Sequence, residues 1–426
     1  MLKYFTIQNF KSFCKPQTFS MEADINRVSE KQETLLTVGS SKLLRTASFY
    51  GPNGSGKSNL IKGLCFLRYA VIGSVDYRFV TRPHTESKVF SPCYYSNSKT
   101  ISEQVIFCDD VYEYTYTFDA AIDKINDDIF DGLGVRPEVN FIGEKIEFKP
   151  LNQSDDEYET LLERTQDGKV MTKFFSSLDH YQKVVLGQSV SVISYILEQN
   201  INLNAQSRLK EFDVILGLFN QIRSIHLLNE RNLHLGMREI KSMLEKKEDK
   251  EFIALLNDFG LNIKAIKFSK SRLYDYQMNI VRSIQGKDIT FNFDEESDGT
   301  QKIILLASRF YSARKSNMIF CCDDLDSQLH PKIIEALIKL FHDKRIGFKQ
   351  FIFNSHDLIN MNKENFRRDE IWLTYKDEES STIIVPLSNL TNSENKQIRK
   401  DESYNKRYLE GRYGADPFIA KALHLS

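Results

Sequence analysis

Hydrophobic and polar positions divide the chain into stretches of different period. Leu2, Tyr4, Thr6, Ile7 and Phe10 alternate toward a β pattern, and a polar stretch follows over about 22–42. Residues 43–50, LLRTASFY, predict a strand running into a glycine-rich turn. From Ser58 to about residue 75 the spacing of Leu60, Ile61, Leu64, Leu67 and Val71 predicts a helix. QVIFCDDVYEYTYTFD (104–119) predicts a hairpin turning near Cys108–Val111, VNFIGEKIEF (139–148) a second hairpin, and Asp167-Gly168 a further turn.

Between about 180 and 258 the pattern becomes helical, with few glycines and no proline. Strand character returns at 262–270, in MNIVRSI and in DITFNFD. The last third alternates: a helix from 301, a strand at 318–322, a helix from 331, a strand at 350–354. That alternation predicts a parallel α/β sheet. The expected organisation is a first head segment with a β-meander over 1–175, a helical insertion over 176–260, and a second head segment over 261–426.

Composition narrows the class without choosing a function. Of 426 residues, 41% are hydrophobic and 27% charged, as in ordinary globular proteins. A net charge of −1 leaves nucleic-acid binding to a local patch. Arg223, Arg231, Lys241, Glu245, Lys246, Lys247 and Glu248 in the helical stretch read as a solvated face, with a DNA-contacting patch as the alternative. Six scattered cysteines form no CxxC pair, so neither a zinc site nor a disulfide framework is expected; reduced thiols in a cytoplasmic protein are. MLKYFTIQNFKSF does not read as a signal peptide, and no apolar run approaches the roughly 20 residues that cross a bilayer.

The chemistry concentrates in two places. Gly51-Pro52-Asn53-Gly54-Ser55-Gly56-Lys57-Ser58 matches the GxxxxGK[ST] template, with Asn59 next to it. Its glycines let successive amides face a phosphate, and the following helix adds its positive end. Lys57 is placed for the β- and γ-phosphates and the Ser58 hydroxyl for magnesium, which makes ATP and Mg2+ the expected cofactors. MIFCC, a short apolar run suited to a buried parallel strand, ends in Asp323-Asp324. Asp323 is expected to hold the magnesium and Asp324 to orient or deprotonate the attacking water. Asp324 carries one methylene fewer than the glutamate usual there, setting its carboxylate roughly 1.5 Å back. A misplacement of about 1 Å can cost on the order of 100-fold in rate. The expectation is therefore an ATPase slowed by Asp324, or a loop that compensates.

EESDGTQK (295–302) precedes a helix, and QFIFNSHDL (350–358) places His356 after a strand. Together with the cradle, these stretches resemble the ABC-type P-loop ATPase heads of the SMC, RecF and OLD group. The resemblance implies an α/β head with a mixed sheet and an inserted helical subdomain. It also implies that Ser297 and Gly299 are the signature contacting ATP bound to an opposite subunit, that His356 is the switch reading the γ-phosphate, and that Asp326 crosses the dimer. FKSF (10–13), the stretch 42–64, LLERTQDG, DDLDSQLHP, RRDEIWL and YLEGRYGADPF (408–418) look most like the stand-alone ATPases of bacterial phage-defence systems, of the RloA/AbiL-like, AbiEii-toxin-associated AAA type. The departures are Asp324 and Asp298, and Gln104 is the one candidate for the glutamine lid.

The 70 residues after His356 are too few for the Toprim nuclease of the OLD proteins, and the helical stretch shows no sustained heptads for an SMC coiled coil. The resemblance then implies an ATP-sandwiched homodimer or larger assembly controlling a separate effector, a nuclease encoded nearby. The rival expectations are a RecF-like DNA-binding ATPase in repair and a self-contained ATP-dependent toxin.

Overall fold

The computed structural model describes residues 1–27, 31–72, 90–124, 137–151, 157–172, 189–200, 210–228, 233–246, 249–270, 276–314, 316–343, 350–390 and 403–413. Its centre is a six-stranded sheet, in the order β11 (Ile225–Leu228), β15 (Ile319–Cys322), β16 (Gln350–Asn354), β5 (Thr46–Tyr50), β17 (Ile371–Lys376) and β18 (Thr382–Pro386). All neighbours are parallel except β18, which returns antiparallel on β17. These strands are short apolar runs because both faces are covered. Alternation sends Phe351 and Phe353 of β16 to one core and Ile352 to the other.

One face carries α1 (Lys57–Ile72), and beyond it a seven-stranded antiparallel sheet. That sheet runs β10 (Val170–Thr172), β9 (Glu159–Arg164), β8 (Pro137–Pro150), β7 (Tyr112–Lys124), β6 (Thr100–Cys108), β1 (Leu2–Gln8) and β2 (Gln17–Ser20). Gly63 lets α1 lie flat on β1: a Cβ there would sit 2.4 Å from Ile7 Cδ1. The other face carries α6 (Asp298–Ala313) and α7 (Pro331–His342), packed by Phe310, Phe320, Phe341 and Phe351. A small hairpin, β3 (Leu36–Val38) with β4 (Ser41–Leu43), occupies what reads in sequence as only a polar stretch.

Several expectations are corrected. Residues 139–148 are not a hairpin but part of the continuous strand β8, paired along β7, with a register shift opposite Gly143. An even alternation across one glycine cannot tell a turn from a bulge. The helical stretch is not helical throughout. It holds α2 (Val192–Asn200), α3 (Lys210–Arg223), α4 (Leu233–Glu245) and α5 (Asp249–Asp258), but also β11, which pairs with β15 in the central sheet. Helices α2 and α3 share the core of α1, whereas α4 and α5 share one with α6, β12 (Ala265–Ser269) and β13 (Gln277–Ile284), the latter paired with β14 (Lys287–Asn292). Of the charged face, Arg231, Lys247 and Glu248 lie outside the described residues. The cysteines are not all reduced: Cys14 and Cys93 are bonded, with Cα atoms 5.4 Å apart. The bridge Phe10↔Pro92 and the bond from Lys11 N to Ser91 O bring together cysteines 79 positions apart, which spacing could not reveal.

Two family-like stretches turn out to be structural. Arg367 grips Asp369 with two bonds (2.9 and 2.6 Å), and Asp369 accepts from Asp24 N. Glu370, fully buried, accepts from Thr46 Oγ1 (2.8 Å), Arg367 N and the His342 ring, tying β5 and α7 to β17. In the tail, Tyr408 of α8 (Tyr404–Leu409) and Tyr413 pack into the α6–α7 core; residues 414–418 lie outside the described residues. Buried Glu144 joins the antiparallel sheet to α2, accepting from Arg164 Nη1 (2.9 Å), Tyr116 OH (2.7 Å) and Val192 N.

Glu103, on the core face of β6, is 1% exposed, and neither carboxyl oxygen has a hydrogen-bond partner among the described residues. Burial alone pushes its carboxyl well above the ordinary 4.5, so the folded protein holds a proton there that the unfolded chain releases. The stability tied to that proton is complete below about pH 4.5 and lost as pH rises toward the folded-state value. Relative to Glu103→Gln, the wild type should lose about 1.4 kcal/mol per pH unit above pH 4.5, up to that value. Paired urea melts of the two proteins between pH 5 and 8 check this, and a pH-independent difference would refute it.

Candidate phosphate-binding site

Because β5, β15 and β16 are parallel neighbours, their C-terminal ends open on one edge of the sheet, where such sheets bind ligands. β5 ends in the cradle loop, β15 in Asp323-Asp324, and β16 in Ser355-His356.

The cradle is shaped by what leaves no room for side chains. A Cβ on Gly51 would lie 2.3 Å from both the Thr374 carbonyl and its hydroxyl. Gly56 has φ +110°, and a Cβ there would meet Thr382 Oγ1 at 2.2 Å. Gly54, φ +77°, forms the open tip with Asn53 and Pro52. A lattice of hydroxyls holds the loop from behind. Ser55 Oγ bonds Thr374 Oγ1 (2.6 Å), and Thr382 Oγ1 donates to Ser55 O (2.8 Å). Ser12, from the FKSF stretch, bonds Thr382 Oγ1 (2.7 Å) and accepts from Asn59 Nδ2 (2.8 Å). Lys57 opens α1 with its ammonium buried, donating to Gly51 O (2.8 Å) and Pro52 O (3.1 Å). Burial lowers its pKa, while Asp324, Asp326 and Asp323 pull the other way. Those opposing fields put the lysine and the carboxylates in one electrostatic neighbourhood. Ser58, half-buried, stands beside it in the first turn.

Asn354 organises the carboxylates. Its Nδ2 donates to Asp323 Oδ1 and its Oδ1 accepts from Asp324 N, both at 2.6 Å. Asp324 is exposed and left-handed at φ +51°. Partial burial and the neighbouring Asp323 push its carboxyl up, with His356 and Lys57 opposing. Asp326 Oδ1 accepts from the backbone N of His356 (3.1 Å), so that aspartate braces the loop after β16 of its own chain. The His356 side chain is exposed.

Ser297 is the N-cap of α6, accepting from Thr300 N (3.3 Å) and bonded to Thr300 Oγ1. Ser297 and Asp298 are exposed, so the start of α6 is open to solvent. Gly299 packs on the loop after β15, where a Cβ would lie 2.6 Å from Gln328 O. The structure therefore gathers Lys57, Asp323, Asp324, Asp326 and His356, and leaves Ser297 exposed at the start of the neighbouring helix. Gln104 stays on β6, exposed and bonded to Thr117 Oγ1 (3.2 Å), with no contact to the cradle.

Sequence reasoning missed Asn354, Thr374, Thr382 and Ser12. Only Asn354 had a local signal, since it ends the strand immediately before the histidine. The donor set fits a magnesium-bound triphosphate: a loop with no room for Cβ atoms, a buried ammonium, and Ser58 with Asp323. Among the described residues no three His, Cys, Asp or Glu side chains converge as a metal cage. A depression of about 390 Å³ beside the β3–β4 hairpin, lined by Gln32, Glu33, Leu35, Thr37 and Lys42, shares no residue with this site.

Residues 154–361 match the family model described as "AAA domain, putative AbiEii toxin, Type IV TA system". That match and the cradle together support an ABC-type P-loop ATPase. No curated protein matches the chain. Among solved structures, the SMC head domain from Thermotoga maritima is similar at 15% identity, covering 90% of this chain and 98% of that one, with a TM-score of 0.40. An SMC head bound to the C-terminal winged-helix domain of ScpA is similar at 12% identity, covering 90% and 96%, with a TM-score of 0.43. At those scores neither likeness identifies a site or a partner. Among the described residues no helix is long and apolar enough to cross a membrane.

Two outcomes test the site. Lys57→Ala removes the buried ammonium of the cradle and should weaken binding of a fluorescent ATP analogue about 10- to 100-fold, the range of a charge-assisted bond. Asn354→Leu leaves the cradle intact but frees both aspartates. It should abolish the magnesium dependence of that binding in a titration while leaving magnesium-free binding within about twofold, as expected for a contact outside the lysine cradle.

Proposed function

We propose that the chain is an ATP-dependent molecular switch of a bacterial anti-phage, abortive-infection system, acting as a homodimer or larger assembly on a separate effector, a nuclease. The observation that carries the ATP reading is the convergence of Lys57, Asp323, Asp324 and His356 at the C-terminal ends of three adjacent parallel strands. The outward-facing N-terminus of α6 supports the dimer: a phosphate on another copy is a partner of the right charge for it. The defence context is supported by the toxin-system family description and by the family-like stretches of the sequence.

In this reading the loop amides and Lys57 hold the phosphates, and Ser58 and Asp323 hold magnesium, which supplies charge neutralisation on the phosphoryl group. Asp324 orients water, and His356 reports on the γ-phosphate. The Asp324 side chain is one methylene shorter than a glutamate, and turnover is accordingly slow.

ADP release by the purified chain, with and without duplex DNA, tests this alongside Lys57→Ala and Asp324→Glu. Slow, DNA-independent release that Asp324→Glu accelerates, together with a doubling of mass on adding ATP in light scattering, is the expected result. Brisk turnover stimulated by DNA would replace this reading with a DNA-engaging ATPase, and a mass unchanged by ATP would remove the dimer.

A further inference from the structure

The loop after β15 is unusual in holding two non-glycine residues in the left-handed region, Asp324 (φ +51°) and Gln328 (φ +61°). Such conformations persist where surrounding contacts over-determine them. Here those contacts come from α6. Lys302, in its second turn, donates from Nζ to the carbonyl of Asp324 (3.0 Å) and to that of Ser327 (2.8 Å), the residue before Gln328. One ammonium thus orients the peptide groups at both left-handed positions. Asp298 Oδ2 accepts from Gln328 Nε2 (3.3 Å), and Gly299 allows the Gln328 carbonyl to approach the helix.

The start of α6 is braced on its other side as well. Glu296 pairs with Arg282 of β13, its Oε2 3.0 Å from Nη2, and Gln301 Nε2 donates to Glu296 O (2.9 Å). The helix N-terminus is therefore clamped between β13 and the carboxylate loop.

We propose that Lys302 is a positioning residue that couples the carboxylate loop to the outward-facing N-terminus of α6, so that nucleotide in one site sets the readiness of the surface offered to the second copy. The proposal rests on the ATP-site reading above. One side chain of α6 bonded to two carbonyls of the loop links the position of that loop to the first turns of the helix. Any movement of Asp324 that follows phosphate contact pulls on Lys302 and, through it, on Ser297 and Asp298.

Hydrogen exchange on the full chain, with and without magnesium and a non-hydrolysable ATP analogue, tests it. The peptides to follow are those spanning 51–58, 324–329 and 297–302. In the wild type, all three should slow by about fivefold or more, the lower end of ordinary coupling between sites. Lys302→Met keeps the apolar stem and removes the two bonds; the cradle should still respond while 297–302 no longer does. Lys302→Arg retains a donor pair and should restore at least part of the response, which a merely structural role would not require. If 297–302 responds equally in Lys302→Met, or stays silent in the wild type while 51–58 responds, the coupling is refuted. If 51–58 itself does not respond in the wild type, it is the ATP-site reading that fails. Matching thermal melts of the variants separate loss of coupling from loss of fold.

Discussion

The phosphate loop keeps its shape because hydroxyl groups from distant parts of the chain are bonded to its back. Thr382 donates to the Ser55 carbonyl, Thr374 bonds Ser55 and donates to the Tyr50 carbonyl, and Ser12 closes the lattice through Thr382 and Asn59. Each hydroxyl occupies space that a Cβ on Gly51 or Gly56 would need. Gly56 is thus required twice, for its backbone angle and for its missing side chain, and Gly51 for its missing side chain.

That lattice depends in turn on the order of the central sheet. β17 stands directly beside β5, so the hairpin it makes with β18 falls behind the loop that β5 feeds. Buried Glu370, accepting from Thr46, His342 and Arg367, holds β17 against β5 at the opposite end. Both faces of the sheet are covered, so its strands have little freedom to slide. The cradle and the carboxylates then inherit their mutual position from two aromatic-rich cores rather than from any contact between them.

The carboxylate loop is held differently. Its left-handed residues are stabilised from two sides, by Asn354 of β16 and by Lys302 of α6. Asn354 acts on the side chain of Asp323 and the amide of Asp324, whereas Lys302 acts on carbonyls. Leu325 and Leu329 of the same loop are buried in the core between α6 and α7, so the polar contacts act on a segment that is anchored by apolar packing as well.

Local chemistry was legible in the sequence because it is encoded over a few residues. The glycine spacing with Lys57 and Ser58, the apolar strand ending in Asp323-Asp324, the Ser297 cap and the strand before His356 were all readable there, and so was the α/β alternation. What escaped had its cause in distant contacts. Whether Gly143 turns or bulges is settled by the register of β7. The strand β11, lying among helices, forms because the edge of β15 is available to it. The Cys14–Cys93 bond follows from strand-like pairing across 79 residues. The hydroxyls of Ser12, Thr374 and Thr382 carry no motif, since a threonine behind a phosphate loop looks in sequence like any strand threonine. The sequence by itself determined which groups could handle a phosphate. Only the tertiary structure decided which of them meet, because those relations are set by the packing of both cores and not by any local pattern.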